Sequence, residues 1–230
     1  MVGVIGVADG LPVSSGMGLG HRPRLSIRWT SDRTLCIEGV RPAAVAYALR
    51  GTPGVRDAIP TEHALHLVVD PLCGLTPEGL ARRVSEVDES ACPTPRTHEI
   101  AVCYEPPYAP DMAWVCRHSG LSEDAVIERH TSALYTVAFL GFAPGFGYLR
   151  GLAEPLRVPR LKTPRVRVPA GSVGLAGPYT GVYAREGPGG WRIIGRTARR
   201  LFEAGSSDPA LLRVGDRVRF RAVSAGELPR

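Results

Sequence analysis

The chain has 230 residues, 44% of them hydrophobic and 22% charged, with a formal net charge of +6, values that describe a foldable globular protein and exclude wholesale disorder. The length is better served by two small domains than by one core. The positive excess is weak: apart from Lys162 every basic residue is arginine, and the doublets Arg82-Arg83 and Arg199-Arg200 read as solvated faces, so a nucleic-acid partner is not expected. Cys36, Cys73, Cys92, Cys103 and Cys116 form an odd set without a C-x-x-C pair, which argues against a disulfide framework and a structural zinc site. No apolar run is long enough to span a membrane, and no signal segment is present, which makes the expected location cytoplasmic.

Residues 1–23 are rich in Gly and Ser without a clear period and are expected to be a flexible extension; GMGLG (16–20) follows no strand and is not a dinucleotide loop. From Arg24 onward SIRWT and TLCIEG read as a hairpin about the Ser31-Asp32 turn. A helix is expected over 41–50, with Pro42 in its first turn and Gly51 at its stop. Two more strands follow at 55–59 and 64–70. The segment 76–90 then forms an amphipathic helix with Thr76 as N-cap and Leu80, Val84 and Val87 on one stripe. The order ββαββα predicts an α+β two-layer sandwich over 24–91. CPTPRT (92–97) reads as a linker with a boundary near Pro95.

A strand at 98–104 and two short helices, 110–118 and 122–130, open the second domain, with Ser122 as N-cap of the second helix and His130 at its end. Beyond Leu134, short apolar runs alternate with Gly and Pro every eight to twelve residues, the pattern of an all-β sandwich or barrel. This domain is expected over 98–224, with a tail at 225–230.

Familiar catalytic signatures are scarce. His63 and His66 sit three apart in a strand-like segment and point to opposite faces, which disfavours a shared metal ion. AGSVG (170–174) has Ala170 where a nucleophile elbow has glycine, and no helix follows Ser172. Lys162 lies in KTPR, which cannot wrap a phosphate as a P-loop does.

The dense motifs lie between 130 and 220: GFAPGFGYL (141–149), PRVRVPAGSVGLAGPYTGVY (164–183), PGGWRIIGRT (188–197) and LLRVGDRVRF (211–220). In these segments the chain resembles the PxpB/KipI family, the B subunits of 5-oxoprolinase, also known as allophanate hydrolase subunit 1 and related to part of the carboxyltransferase region of urea carboxylase. The resemblance covers roughly residues 24–223; EPPYAPD (105–111) departs from a more Gly-rich loop in that family. It implies a cyclophilin-like β-barrel for the second domain. It also implies a role as one subunit of an ATP-dependent 5-oxoprolinase, a hydrolase that opens 5-oxo-L-proline to L-glutamate with PxpA-type and PxpC-type (allophanate hydrolase subunit 2-like) partners and is inactive as a lone subunit. ATP would serve the assembled complex, and no metal site is expected here. Two other functions stay open: a KipI-like protein inhibitor of a sensor histidine kinase, and a subunit of an allophanate hydrolase or urea carboxylase assembly.

Opening a lactam requires donors for a developing oxyanion and a group that moves protons. His130 is the candidate proton carrier, a role its family position favours; a histidine stabilising a helix C-terminus is the alternative. Arg165 and Arg196 are candidates for holding an anion, or else pair with a structural carboxylate. Phe142, Phe146, Tyr148 and Trp191 form either pocket wall or core. Pro144, Pro169, Gly171, Ser172, Gly189 and Gly190 complete the expected substrate-binding set by shaping the backbone around it.

Overall fold

The computed structural model describes residues 24–88 and 94–228. The expected N-terminal extension, Cys92 and the last two residues of the 76–90 helix lie outside the described residues. The chain divides into two compact units between Thr94 and Pro95.

In the first unit β1 (Ser26–Trp29), β2 (Thr34–Glu38), β3 (Val55–Pro60) and β4 (Ala64–Val69) form an antiparallel sheet in the order β1-β2-β4-β3. Alternation sets its buried face. Ile27, Ile37 and Leu65 share one row, Leu35, Leu67 and Ala58 another, and both rows are buried. Helices α1 (Pro42–Leu49) and α2 (Pro77–Ser85) place Val45, Ala46, Leu49, Leu80 and Val84 in the same core. Gly51, at φ 79°, supplies the left-handed residue that ends the first helix.

Thr76 caps α2 as expected, its hydroxyl accepting from Gly79 N at 3.1 Å. The helix stops at Ser85, and residues 86–88, expected to continue it, are not helical. The Ser85 hydroxyl donates to the carbonyls of Ala81 and Arg82, 2.8 and 2.9 Å away, and so competes with further helical turns. Thr76→Ala is expected to lower the stability of this unit by about 1 kcal/mol, read as a lower urea midpoint with an unchanged slope.

The second unit is a closed barrel in the order β10-β7-β6-β13-β5-β12-β9. Its strands are β5 (Thr97–Cys103), β6 (Tyr135–Leu140), β7 (Gly147–Arg150), β9 (Ser172–Ala176), β10 (Tyr179–Val182), β12 (Arg192–Arg196) and β13 (Arg217–Val223). A separate ribbon pairs β8 (Arg165–Val168) with β11 (Gly187–Gly189). The α+β unit followed by a barrel is the fold class read from the sequence. β5 and β13 pair in parallel, whereas the other barrel ladders are antiparallel.

Ile100, Val102, Val137, Leu149, Val173, Leu175, Ile194 and Phe220 fill the interior, together with Met112 and Val115 of α3 (Met112–Ser119) and Val126 of α4 (Glu123–Ser132). Ser122 caps α4 through Ala125 N. α3 begins two residues later than expected because Asp111 stands at its N-cap, with its carboxylate engaged elsewhere.

Candidate functional site on the barrel

The barrel carries a second apolar cluster built from Phe146, Val168, Ala176, Tyr179, Tyr183, Trp191 and Ile193. Phe146 meets Tyr148, Trp191 and Tyr183 edge to face at centroid distances of 5.1, 5.2 and 5.5 Å. Phe142 joins this wall at 5.3 Å from Phe146, yet 59% of it stays exposed, and its φ of 66° is the left-handed region that a bulky residue rarely adopts. The structure therefore brings together the four expected aromatics, with Phe146 and Trp191 as core and Phe142 as an exposed edge. Pro144 is exposed in the connecting loop. Gly189 lies against this cluster for a steric reason: a Cβ there would stand 2.2 Å from the Tyr183 hydroxyl. Gly190 neighbours Pro164 and accepts from Leu161 N through its carbonyl.

Arg165 has a structural partner. It donates to Asp111 Oδ1 at 2.9 Å, while Asp111 Oδ2 accepts from Ile193 N at 2.7 Å. Arg192 also approaches Asp111, at 3.7 Å, and its guanidinium lies 3.5 Å from the Trp114 ring centroid; its buried Nε makes no hydrogen bond. One buried carboxylate thus serves two arginines, one backbone amide and the junction of β8, α3 and β12.

Arg196 differs. Among the described residues no carboxylate pairs with it, and its guanidinium carbon sits 5.8 Å from the Tyr108 ring. It faces Ser172 across the β9–β12 ladder. The turn before Ser172 is tightly determined: Pro169 is exposed, Gly171 has φ 79°, and a Cβ at Gly171 would fall 2.0 Å from Thr197 O. Glycine is required at 171 for packing, because that backbone also exchanges hydrogen bonds with Tyr183 and Thr197.

His130 lies in the last turn of α4 and is fully buried. Phe220 stacks on its ring at 4.5 Å, and Tyr135 OH donates to its carbonyl. The ring protons can be assigned from the neighbours. The Thr180 hydroxyl gives its hydrogen to Gly174 O at 3.1 Å, so Thr180 Oγ1 accepts from His130 Nε2 at 2.9 Å. Nδ1 is then the acceptor for Tyr104 OH at 2.7 Å. Burial pushes the imidazole pKa down from 6.5 to about 3 and pushes the Tyr104 phenol up. A neutral Nε2–H ring locked between two hydroxyls positions the barrel wall; neither exchange with a solvent-borne substrate nor a charged dipole cap fits this geometry.

Residues 36–212 match the family described as carboxyltransferase domain, subdomain C and D. The chain is 45% identical over 183 residues to the 5-oxoprolinase B subunit of Escherichia coli O157:H7, a match covering 76% of this chain and 82% of that protein. It is 36% identical over 214 residues to the 5-oxoprolinase B subunit of Bacillus subtilis (strain 168), covering 87% and 89%. This chain belongs to the family of 5-oxoprolinase B subunits. Among solved structures, TTHA0988 aligns with a TM-score of 0.75 at 37% identity over 86% of this chain and 41% of that chain. The chain thus spans less than half of that longer relative. The K. lactis urea amidolyase shares the fold, with a TM-score of 0.71 at 18% identity over 90% of this chain and 15% of its own.

In this member of the B-subunit family, Asp111, Tyr104 and Thr180 determine what Arg165 and His130 do; Asp111 and Tyr104 lie outside the dense motifs, and Thr180 lies within the 164–183 motif without being singled out there. The expected helix over 110–118 contains Asp111 in its first turn, so the sequence marked this acid neither as a cap nor as a counter-charge. Among the described residues no group of three or more His, Cys, Asp or Glu side chains is placed to hold a metal ion, and no helix is long and apolar enough to cross a membrane.

Proposed function

We propose that this chain is the B subunit of an ATP-dependent 5-oxoprolinase, which opens 5-oxo-L-proline to L-glutamate together with PxpA-type and PxpC-type subunits. The observation that carries the reading is the 45% identity to the E. coli 5-oxoprolinase B subunit over most of both chains. That relative is named as one subunit of an enzyme, which supports an assembly, as does the 41% share of TTHA0988 that this chain covers.

Lactam hydrolysis adds water across an unreactive amide and needs an oxyanion site and proton transfer to the leaving nitrogen. With Arg165 engaged by Asp111 and His130 sealed in the core, the expected residues left to meet an anion are Arg196 and the glycine-shaped turn before Ser172. In this reading the proton carrier comes from a partner chain. In this reading ATP belongs to the assembled complex: Lys162 sits in a loop ahead of β8 with no helix after it and does not form a P-loop.

The test is co-expression with the two partner subunits and an assay of ATP-dependent glutamate formation from 5-oxoproline. Turnover is expected only with all three chains present. A purified three-subunit complex that leaves 5-oxoproline intact, or turnover that persists without this chain, would overturn the proposal.

A further inference from the structure

β5 pairs with β13 from Thr97 to Cys103, but with β12 only where Arg196 faces Cys103. Strand backbone groups are directed toward both neighbours, so the residues of β5 ahead of Cys103 leave an unpaired edge on the side away from β13. The chain after β12 does not close that edge. Thr197 N bonds to Gly171 O at 2.9 Å, and the Thr197 hydroxyl accepts from Arg199 N at 3.0 Å, which bends the chain away. Residues 201–211 then double back, with Leu211 N bonded to Leu201 O and Glu203 N to Pro209 O. A cavity of about 550 Å³ remains beside β5, lined by its Glu99 and Ala101, by the segment 197–203 and by Asp208, Pro209 and Leu211.

The charges around this cavity are unevenly engaged. Glu99 accepts from Arg221 at 3.0 Å, and Asp208 from Arg213 at 2.6 Å, so two of its three acids already serve arginines outside it. Arg199 and Arg200 both line the cavity, and among the described residues no carboxylate pairs with either. Water alone can serve an exposed arginine. Here, however, two adjacent ones border a concave surface that also offers Ala101, Phe202 and Leu211, which joins charged groups to an apolar lining as a small-molecule site does.

We propose that this cavity binds a small organic acid of amino-acid size, whose carboxylate is held by Arg199 and Arg200 and whose carbon skeleton rests on Phe202 and Leu211. Guanidinium forks match a carboxylate in two parallel hydrogen bonds. Glu203, the third acid, accepts from a lactam N–H or an ammonium group on the same ligand. A polyphosphate would set several charges against apolar side chains and against Glu203, which disfavours it. Naming the ligand as 5-oxo-L-proline or L-glutamate rests on the function proposed above; the existence of the site does not.

Calorimetric titration of the purified 230-residue chain with 5-oxo-L-proline, L-glutamate and inorganic phosphate provides the test. Saturable binding of one or both organic acids is expected, with no comparable binding of phosphate. Both Arg199→Gln/Arg200→Gln, which removes the charge, and Ala101→Phe, which fills the space, should weaken that binding by about tenfold or more while keeping the wild-type unfolding midpoint. Phosphate binding alone, no binding of either acid, or folded variants that bind like wild type would overturn the site. The three-subunit assay separates the two proposals. Full turnover with the double arginine variant removes the cavity's role and leaves the function standing, whereas glutamate binding by the chain with an inactive complex does the reverse.

Discussion

Asp111→Asn is expected to destabilise the barrel unit by about 3–5 kcal/mol, the range for leaving a buried charge without its partner. The substitution keeps the shape of the side chain and an oxygen for Ile193 N, and removes only the negative charge. Two guanidinium groups then lose their counter-charge, and they are not equivalent. Arg165, whose side chain is 31% exposed, can turn toward water, which softens its share. Arg192 is only 13% exposed, is held against Trp114, and already has a buried Nε without a partner. Most of the cost therefore falls on Arg192. Replacing it as well, in Asp111→Asn/Arg192→Met, should recover more than about 1 kcal/mol relative to the sum of the single changes. Urea unfolding of the four proteins reads this coupling, and strictly additive losses would show that Asp111 and Arg192 do not share one electrostatic unit.

The first unit was legible because its chemistry is local. Ile27, Leu35, Ile37, Leu65 and Leu67 declare their face by alternation, and Thr76 declares a helix start by its hydroxyl, as Ser122 does in the second unit, so strand and cap positions follow from neighbouring residues. The barrel's many short strands were equally visible. Their closure came only through the family resemblance, since it depends on β13 lying parallel to β5, a pairing of Arg217 with Thr97 that no local pattern announces. The site followed the same division. The motif glycines, Gly171 and Gly189, are where packing demands glycine, and the aromatics do converge. The roles of Arg165 and His130 were hidden because their partners are distant in sequence: Asp111 lies 54 residues from Arg165, and Tyr104 and Thr180 lie 26 and 50 residues from His130. Val126 and His130, one helical turn apart and both buried, were the local hint that this face of α4 is an inner one.

His130 should make the barrel acid-sensitive, and the size of that effect distinguishes a locked ring from a proton carrier. In the native chain its pKa is depressed to about 3, against 6.5 for an unperturbed imidazole. Between those values the unfolded chain binds a proton that the native chain does not, so stability is greatest above pH 6.5 and falls as the pH drops toward 3. The slope for one such group is about 1.4 kcal/mol per pH unit, and the whole window amounts to roughly 5 kcal/mol. His130→Gln removes the titration while also disturbing the bonds to Tyr104 and Thr180. At pH 7 the variant should be less stable by about 2–4 kcal/mol, because buried hydroxyls lose well-placed partners. As the pH falls from 7 to 4 the wild type alone pays for refusing a proton, and the gap between the two proteins should close by about 3 kcal/mol. Urea midpoints at pH 7, 5.5 and 4 measure that convergence. Imidazole NMR gives a second reading, in which the His130 ring keeps its Nε2–H tautomer and does not titrate between pH 7.5 and 5. A gap that stays constant with pH, together with a ring that titrates near 6.5, would place His130 in contact with solvent and restore it as an acid–base residue.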